Sequence, residues 1–154
     1  MTHGKDIAQR KQTMFEPGYT EKVVNACSGV AYTYRDVAHT PEALSELDGP
    51  TIGDRPPDIA FEHGGTLFDK LRHDYFTLLV MPSGGTVGPA IERLEKRFGS
   101  VLKAEILPTS AALSKPYGAS DGRLFLVRPD GYIAFKSSAD EASLLEEHLS
   151  RMLA

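Results

Sequence analysis

Apolar positions follow two different rhythms along this chain. From residue 51 onward they fall into regular blocks. Phe76-Thr77-Leu78-Leu79-Val80-Met81 is almost unbroken, the pattern of a central strand buried on both faces. Val87, Ile91, Leu94 and Phe98 recur at helical spacing, and Gly99 stands where that helix should stop. Leu67, Phe68 and Leu71 predict a shorter helix after a His63-Gly64-Gly65 turn, and Ile59-Ala60-Phe61 predicts a short strand before it. Residues 101–107 predict another strand.

The C-terminal third is as legible. Leu124-Phe125-Leu126-Val127 and Tyr132-Ile133-Ala134-Phe135 flank Arg128-Pro129-Asp130-Gly131. Proline followed by Asp-Gly suits a type I turn with a left-handed glycine, hence a hairpin. Ser138 and Glu141 have capping-box spacing. The helix that follows should bury Leu144, Leu145, His148, Leu149 and Met152. Strand, helix, strand, helix, strand, hairpin and helix predict an α/β domain of thioredoxin-like arrangement. It has a central mixed sheet with flanking helices, a β-hairpin and a C-terminal helix.

Residues 1–50 lack such periodicity. Pro17-Gly18, Ser28-Gly29 and Asp48-Gly49-Pro50 punctuate them with turns. Short helices are expected over 5–15 and 19–27, and Val30-Ala31-Tyr32-Thr33-Tyr34 has strand composition. The predicted organisation is an N-terminal extension or linker over 1–50 and a thioredoxin-like domain over 51–154. Phe15, Tyr19, Val23, Val24, Val30, Tyr32 and Tyr34 give the extension apolar surface but no core of its own. It cannot offset its ordering entropy without docking. We expect it to wrap the domain, and a homodimer to form.

Composition narrows the classes. The chain has 154 residues, 41% hydrophobic and 25% charged, with a net charge of −4. That balance argues against a nucleic-acid binder. No apolar run reaches the ~20 residues of a membrane span, and the N-terminus lacks a signal-peptide core, so a cytoplasmic location is expected. The single cysteine excludes an internal disulfide and a multi-cysteine metal site.

Candidate chemistry is sparse. In a thiol enzyme of this arrangement, the turn after the central strand carries the nucleophile, where a helix N-terminus lowers the thiol's pKa. Here that turn is Pro82-Ser83-Gly84-Gly85-Thr86, without cysteine. Its backbone N–H groups suit an anion, but it lacks both the Walker Lys-Ser/Thr and the dinucleotide glycine pattern. Cys27 lies before the domain with no basic sequence neighbour, as a packing residue would. His3, His39, His63, His73 and His148 show no metal-ligand spacing. Asp54-Arg55 and Arg128 with Asp130 are candidate site residues, or else fix turns and ion pairs. No nucleophile–base–orienter set emerges, so no catalytic, cofactor-binding or metal-binding residue is assigned.

Two stretches carry a resemblance. One is Gly53-Asp54-Arg55-Pro56-Pro57-Asp58, followed by Gly65-Thr66-Leu67-Phe68-Asp69-Lys70-Leu71 and Phe76-Thr77-Leu78-Leu79. The other is Leu126-Val127-Arg128-Pro129-Asp130-Gly131-Tyr132-Ile133-Ala134-Phe135. Together they resemble the C-terminal thioredoxin-like domain of FAD-dependent aromatic-ring hydroxylases, the phenol-hydroxylase-like flavin monooxygenases. Ser28-Gly29-Val30-Ala31-Tyr32-Thr33-Tyr34 is similar to the segment leading into that domain, so the resemblance spans about residues 28–154.

The resemblance implies a non-catalytic domain with a structural or subunit-contact role. FAD would belong to the parent family and no cofactor to this chain. The partner would be an FAD-containing catalytic domain or a second copy. The family's FAD and substrate domains have no counterpart in the sequence, which is expected to be an excised C-terminal fragment or a stand-alone relative. Two other readings compete. Arg55-Pro56-Pro57-Asp58-Ile59-Ala60-Phe61 is similar to the opening of peroxiredoxins, which suggests a redox protein. The glycine turn suggests a small-ligand binding module.

Overall fold

A computed structural model describes residues 47–82, 88–108, 115–118 and 122–153. They belong to the second of two compact units into which the chain divides, Thr33–Ala154. Cys27, His3, His39 and the expected elements before residue 47 lie outside the described residues, as does the glycine turn apart from Pro82.

The elements follow in the order α1 (Leu67–Lys70), β1 (Phe76–Met81), α2 (Gly88–Phe98), β2 (Leu102–Ile106), β3 (Arg123–Val127) and β4 (Ile133–Ser138). A 3-10 turn (Ala139–Glu141) and α3 (Ala142–Met152) complete it. The sheet order is β2-β1-β3-β4. β1 runs parallel to β2, with Leu78 opposite Ala104, and antiparallel to β3, with Leu79 opposite Phe125. β3 and β4 form the expected hairpin. This is the mixed sheet of a thioredoxin-like domain.

The alternation of a strand sends successive side chains of β1 into two cores. Leu78 and Val80 pack with Ile91, Leu94, Leu145 and Leu149, beneath α2 and α3. Leu79 and Met81 face the other way, onto Ile52, Leu67, Phe125 and Tyr117. The unbroken apolar run of β1 is thereby explained. Both of its faces are covered, one by helices and one by the chain between residues 52 and 71.

The hairpin turn forms as its residues dictate. Gly131 donates its N–H to the Arg128 carbonyl at 2.9 Å, and Arg128 donates to the Tyr132 carbonyl at 2.8 Å. Gly131 takes a left-handed φ of 84°. The pairing register slips between Leu126 and Val127, as a bulge beside such a turn requires.

Three sequence expectations need correction. Ile59-Ala60-Phe61 is not a strand, because only Ala60 bridges, to Thr66. No neighbouring strand offers it a ladder. Ser138 does not cap a helix through the backbone, since its hydroxyl donates to the Glu141 carboxylate at 3.0 Å. α3 begins only at Ala142, after the 3-10 turn. Its buried stripe is Ala142, Leu145 and Leu149, while Leu144 and Met152 are each 40% exposed. His148 is half-buried against the Phe135 ring, with centroids 4.9 Å apart. Burial, and then the charge of Arg151, hold its imidazole below the usual histidine range.

Candidate functional site at the junction of two motifs

The Gly53–Asp58 stretch and the Arg128–Tyr132 turn lie far apart in sequence and meet in space. Gly53 donates its N–H to the Ile133 carbonyl at 2.9 Å, and Ile133 donates back to the Asp54 carbonyl at 2.8 Å. This exchange extends the outer edge of β4 by one short pairing. Asp54 also folds its own turn. Its carboxylate accepts the Thr51 N–H at 2.9 Å, and its N–H donates to the Thr51 carbonyl at 3.1 Å.

Each polar residue of the first motif has a local task. The Asp58 carboxylate accepts N–H groups from Ile59 and Phe68, each at 3.0 Å, and so satisfies a donor in the first turn of α1. The Asp69 side chain accepts the Thr66 N–H at 2.9 Å and completes a capping box on the same helix. The Pro57 carbonyl accepts the phenol of Tyr117 at 2.6 Å. Tyr117 is fully buried, edge-on to Phe125 with centroids 5.4 Å apart.

Burial first, and the Asp58 charge second, push the Tyr117 phenol far above the ordinary tyrosine range. The folded state therefore holds this proton where the unfolded chain releases it, from about pH 10 upward. The group costs no stability below that pH, and stability declines as pH rises beyond it. Tyr117→Phe is expected to lose about 0.5–1.5 kcal/mol near neutral pH, because the half-buried Pro57 carbonyl loses its donor. The same variant should show a shallower decline in denaturant melts above about pH 10. Parallel alkaline profiles for the two proteins would refute the assignment.

Arg55 closes the junction. Its guanidinium carbon sits 4.6 Å from the centre of the Tyr132 ring, a cation–π stack. Its Nε is buried without a hydrogen-bond partner. Arg128 and Asp130 pair with each other at the turn, and Asp130 also accepts the Tyr132 N–H at 3.3 Å. Arg55, Phe68, Leu71, Arg72, Pro129 and Asp130 surround an open cleft of about 260 Å³. Of the candidate residues, Arg55 and Asp130 share this cleft, while the Asp54 carboxylate fixes the Thr51 turn.

His63 and His73 are exposed, and His73 stacks on Tyr75 with centroids 4.6 Å apart. Among the described residues no group of His, Cys, Asp and Glu is placed to hold a metal ion. No described helix is long and apolar enough to cross a membrane.

Sequence reasoning missed three things here: the Tyr132 stack, the Tyr117 anchor and the burial of Lys136. Lys136 is 1% exposed and donates from Nζ to the Leu47 carbonyl at 2.7 Å. The one available signal was a lysine directly after the apolar run Ile133-Ala134-Phe135.

The comparisons with known proteins bear on these same two motifs. The family described as "Aromatic-ring hydroxylase, C-terminal" matches residues 49–154. The chain belongs to that family. Pentachlorophenol 4-monooxygenase of Sphingobium chlorophenolicum is 27% identical over 178 residues, covering 99% of this chain and 32% of that protein. A 4-methyl-5-nitrocatechol 5-monooxygenase of a Burkholderia species is 33% identical over 111 residues, covering 66% of this chain and 19% of that one. The chain thus spans about a third or less of the length of these curated relatives.

Among solved structures, the flavin-dependent monooxygenase PieE, described in complex with FAD and substrate, superposes with a TM-score of 0.60 at 23% identity. The match covers 80% of this chain and 25% of that one. A thiol:disulfide interchange protein, DsbE of Chlorobium tepidum, superposes with a TM-score of 0.52 at 14% identity. That match covers 68% of this chain and 99% of its own. The second match establishes the thioredoxin-like fold.

FAD does not fit the residues described. A dinucleotide site places a glycine-rich turn at a helix N-terminus with an acid farther on, and this sequence has no G-x-G-x-x-G. The Arg55 cleft, at about 260 Å³, is also too small for a group the size of FAD.

Proposed function

We propose that this chain acts as a non-catalytic, structural C-terminal domain of an FAD-dependent aromatic-ring monooxygenase. In that role it packs against an FAD-containing catalytic domain or joins subunits. One observation carries the reading. The polar side chains of the two motifs that carry the resemblance are largely engaged in local turns and helix caps, and backbone hydrogen bonds join one motif to the other. They are not gathered around a reacting centre. The sequence supports the same conclusion, because its one cysteine, Cys27, precedes the domain. Ser83 and Thr86, which follow β1 in sequence, carry hydroxyls that stay protonated at neutral pH.

Under this reading the isolated chain retains no flavin. Gel filtration after incubation with excess FAD should give protein fractions without flavin absorbance. Those fractions should not oxidise a reduced nicotinamide cofactor in the presence of phenols. Stoichiometric bound flavin would overturn the proposal. Light scattering over a concentration series reads the subunit-contact role, for which a dimer is expected.

A further inference from the structure

The Arg55 cleft combines features that hold the fold together with features that do not. Stacking on Tyr132 uses one face of the guanidinium and leaves its rim of N–H donors available. The buried Nε has no hydrogen-bond partner among the described residues, and Nη1 lies beside Gly131 in the cleft lining. Gly131 keeps the space beside it open, since a Cβ there would lie 3.3 Å from Arg55 Nη1.

The electrostatics around the cleft favour an anion. Asp130, the carboxylate in its lining, is already neutralised by Arg128. Arg72 adds a second cation at the rim. Its side chain is 78% exposed, and its contact with Asp69 is long, at 3.7 Å. Phe68, Leu71 and Pro129 supply apolar walls. A volume of about 260 Å³ suits a compact guest rather than a nucleotide.

We propose that this cleft binds a small planar organic anion, a single-ring aromatic carboxylate. The carboxylate receives two N–H groups of Arg55, and the ring lies against Phe68 and Leu71. Arginine is suited to this task because its fork matches a carboxylate in two parallel hydrogen bonds. The inference stands apart from the structural role proposed above, which requires no ligand.

Amide NMR of the full chain titrated with benzoate tests it. Saturable shifts confined to Arg55, Phe68, Leu71 and the 130–132 turn are expected. Benzyl alcohol has the ring without the charge, and acetate and inorganic phosphate have charge without the ring. Each should bind at least about tenfold more weakly, as the loss of a charge-assisted hydrogen bond or of an apolar contact implies. Arg55→Gln should weaken benzoate about tenfold or more. Should that variant not fold, Arg55→Lys keeps the charge and removes the fork, and about a tenfold loss is again expected. Unchanged benzoate affinity in the folded Arg55 variant, shifts scattered over the surface, or an equal response to phosphate would each overturn the proposal.

Discussion

Leu79→Ala is expected to lower the unfolding free energy by about 2–5 kcal/mol, toward the upper end of that range. Leu79 is 0% exposed, in the middle of β1, which is itself an inner strand of the sheet. It stands opposite Glu105 of β2 and Phe125 of β3, and it packs in the core that holds Leu67 and Tyr117. Truncation removes apolar burial and leaves a cavity. Hydrogen-bonded strands on either side restrain its walls, so the site collapses poorly. Urea or guanidinium unfolding measures the effect. A loss below about 1 kcal/mol would mean that β1 is not covered on its second face.

Gly49→Ala should be comparably damaging, for a different reason. Gly49 has a left-handed φ of 91°. A Cβ there would lie 2.2 Å from the Tyr117 carbonyl oxygen and 2.5 Å from its carbon. Both are backbone atoms that cannot swing aside. The approach is mutual, because a Cβ on Gly118 would lie 2.5 Å from the Asp48 Cβ. The left-handed conformation costs roughly 1–2 kcal/mol, and overpacking adds roughly 1–3 kcal/mol. Gly64→Ala is the natural control. It has the same φ of 91° but nothing within 4 Å of the added carbon. The difference between the two variants in denaturant melts isolates the steric part. Equal losses would show that residues 48–49 are not seated against 117–118.

What the sequence disclosed, and what it hid, follows from the range of the forces involved. The burial of β1, the α2 stripe of Ile91, Leu94 and Phe98, and the Arg128–Gly131 turn are set by neighbours a few residues away. Periodicity and turn chemistry therefore revealed them. Ile59-Ala60-Phe61 had strand composition, but a strand needs a partner edge, which local pattern does not report. Leu144 stands at the margin of the α3 stripe and Met152 at its last position, where helical spacing alone overstates burial. At the junction, Arg55 and Asp130 were visible as candidates. Their common cleft was not, because it depends on bringing residue 55 beside residue 131. Lys136 is the extreme case, as the carbonyl accepting its hydrogen bond belongs to Leu47, 89 positions earlier.

The sheet's two borders carry one more consequence. At β2 the Ala104 N–H is taken by the Glu95 carboxylate of α2 at 2.9 Å. At β4 the Ile133 N–H and carbonyl are both taken by the Gly53–Asp54 stretch. An open sheet normally offers such groups as a template on which foreign strands can grow, the first step toward fibrillar self-association. Here a carboxylate blunts one border and the chain's own turn blunts the other. A foreign strand laid along either border would therefore meet one position whose backbone groups are already engaged.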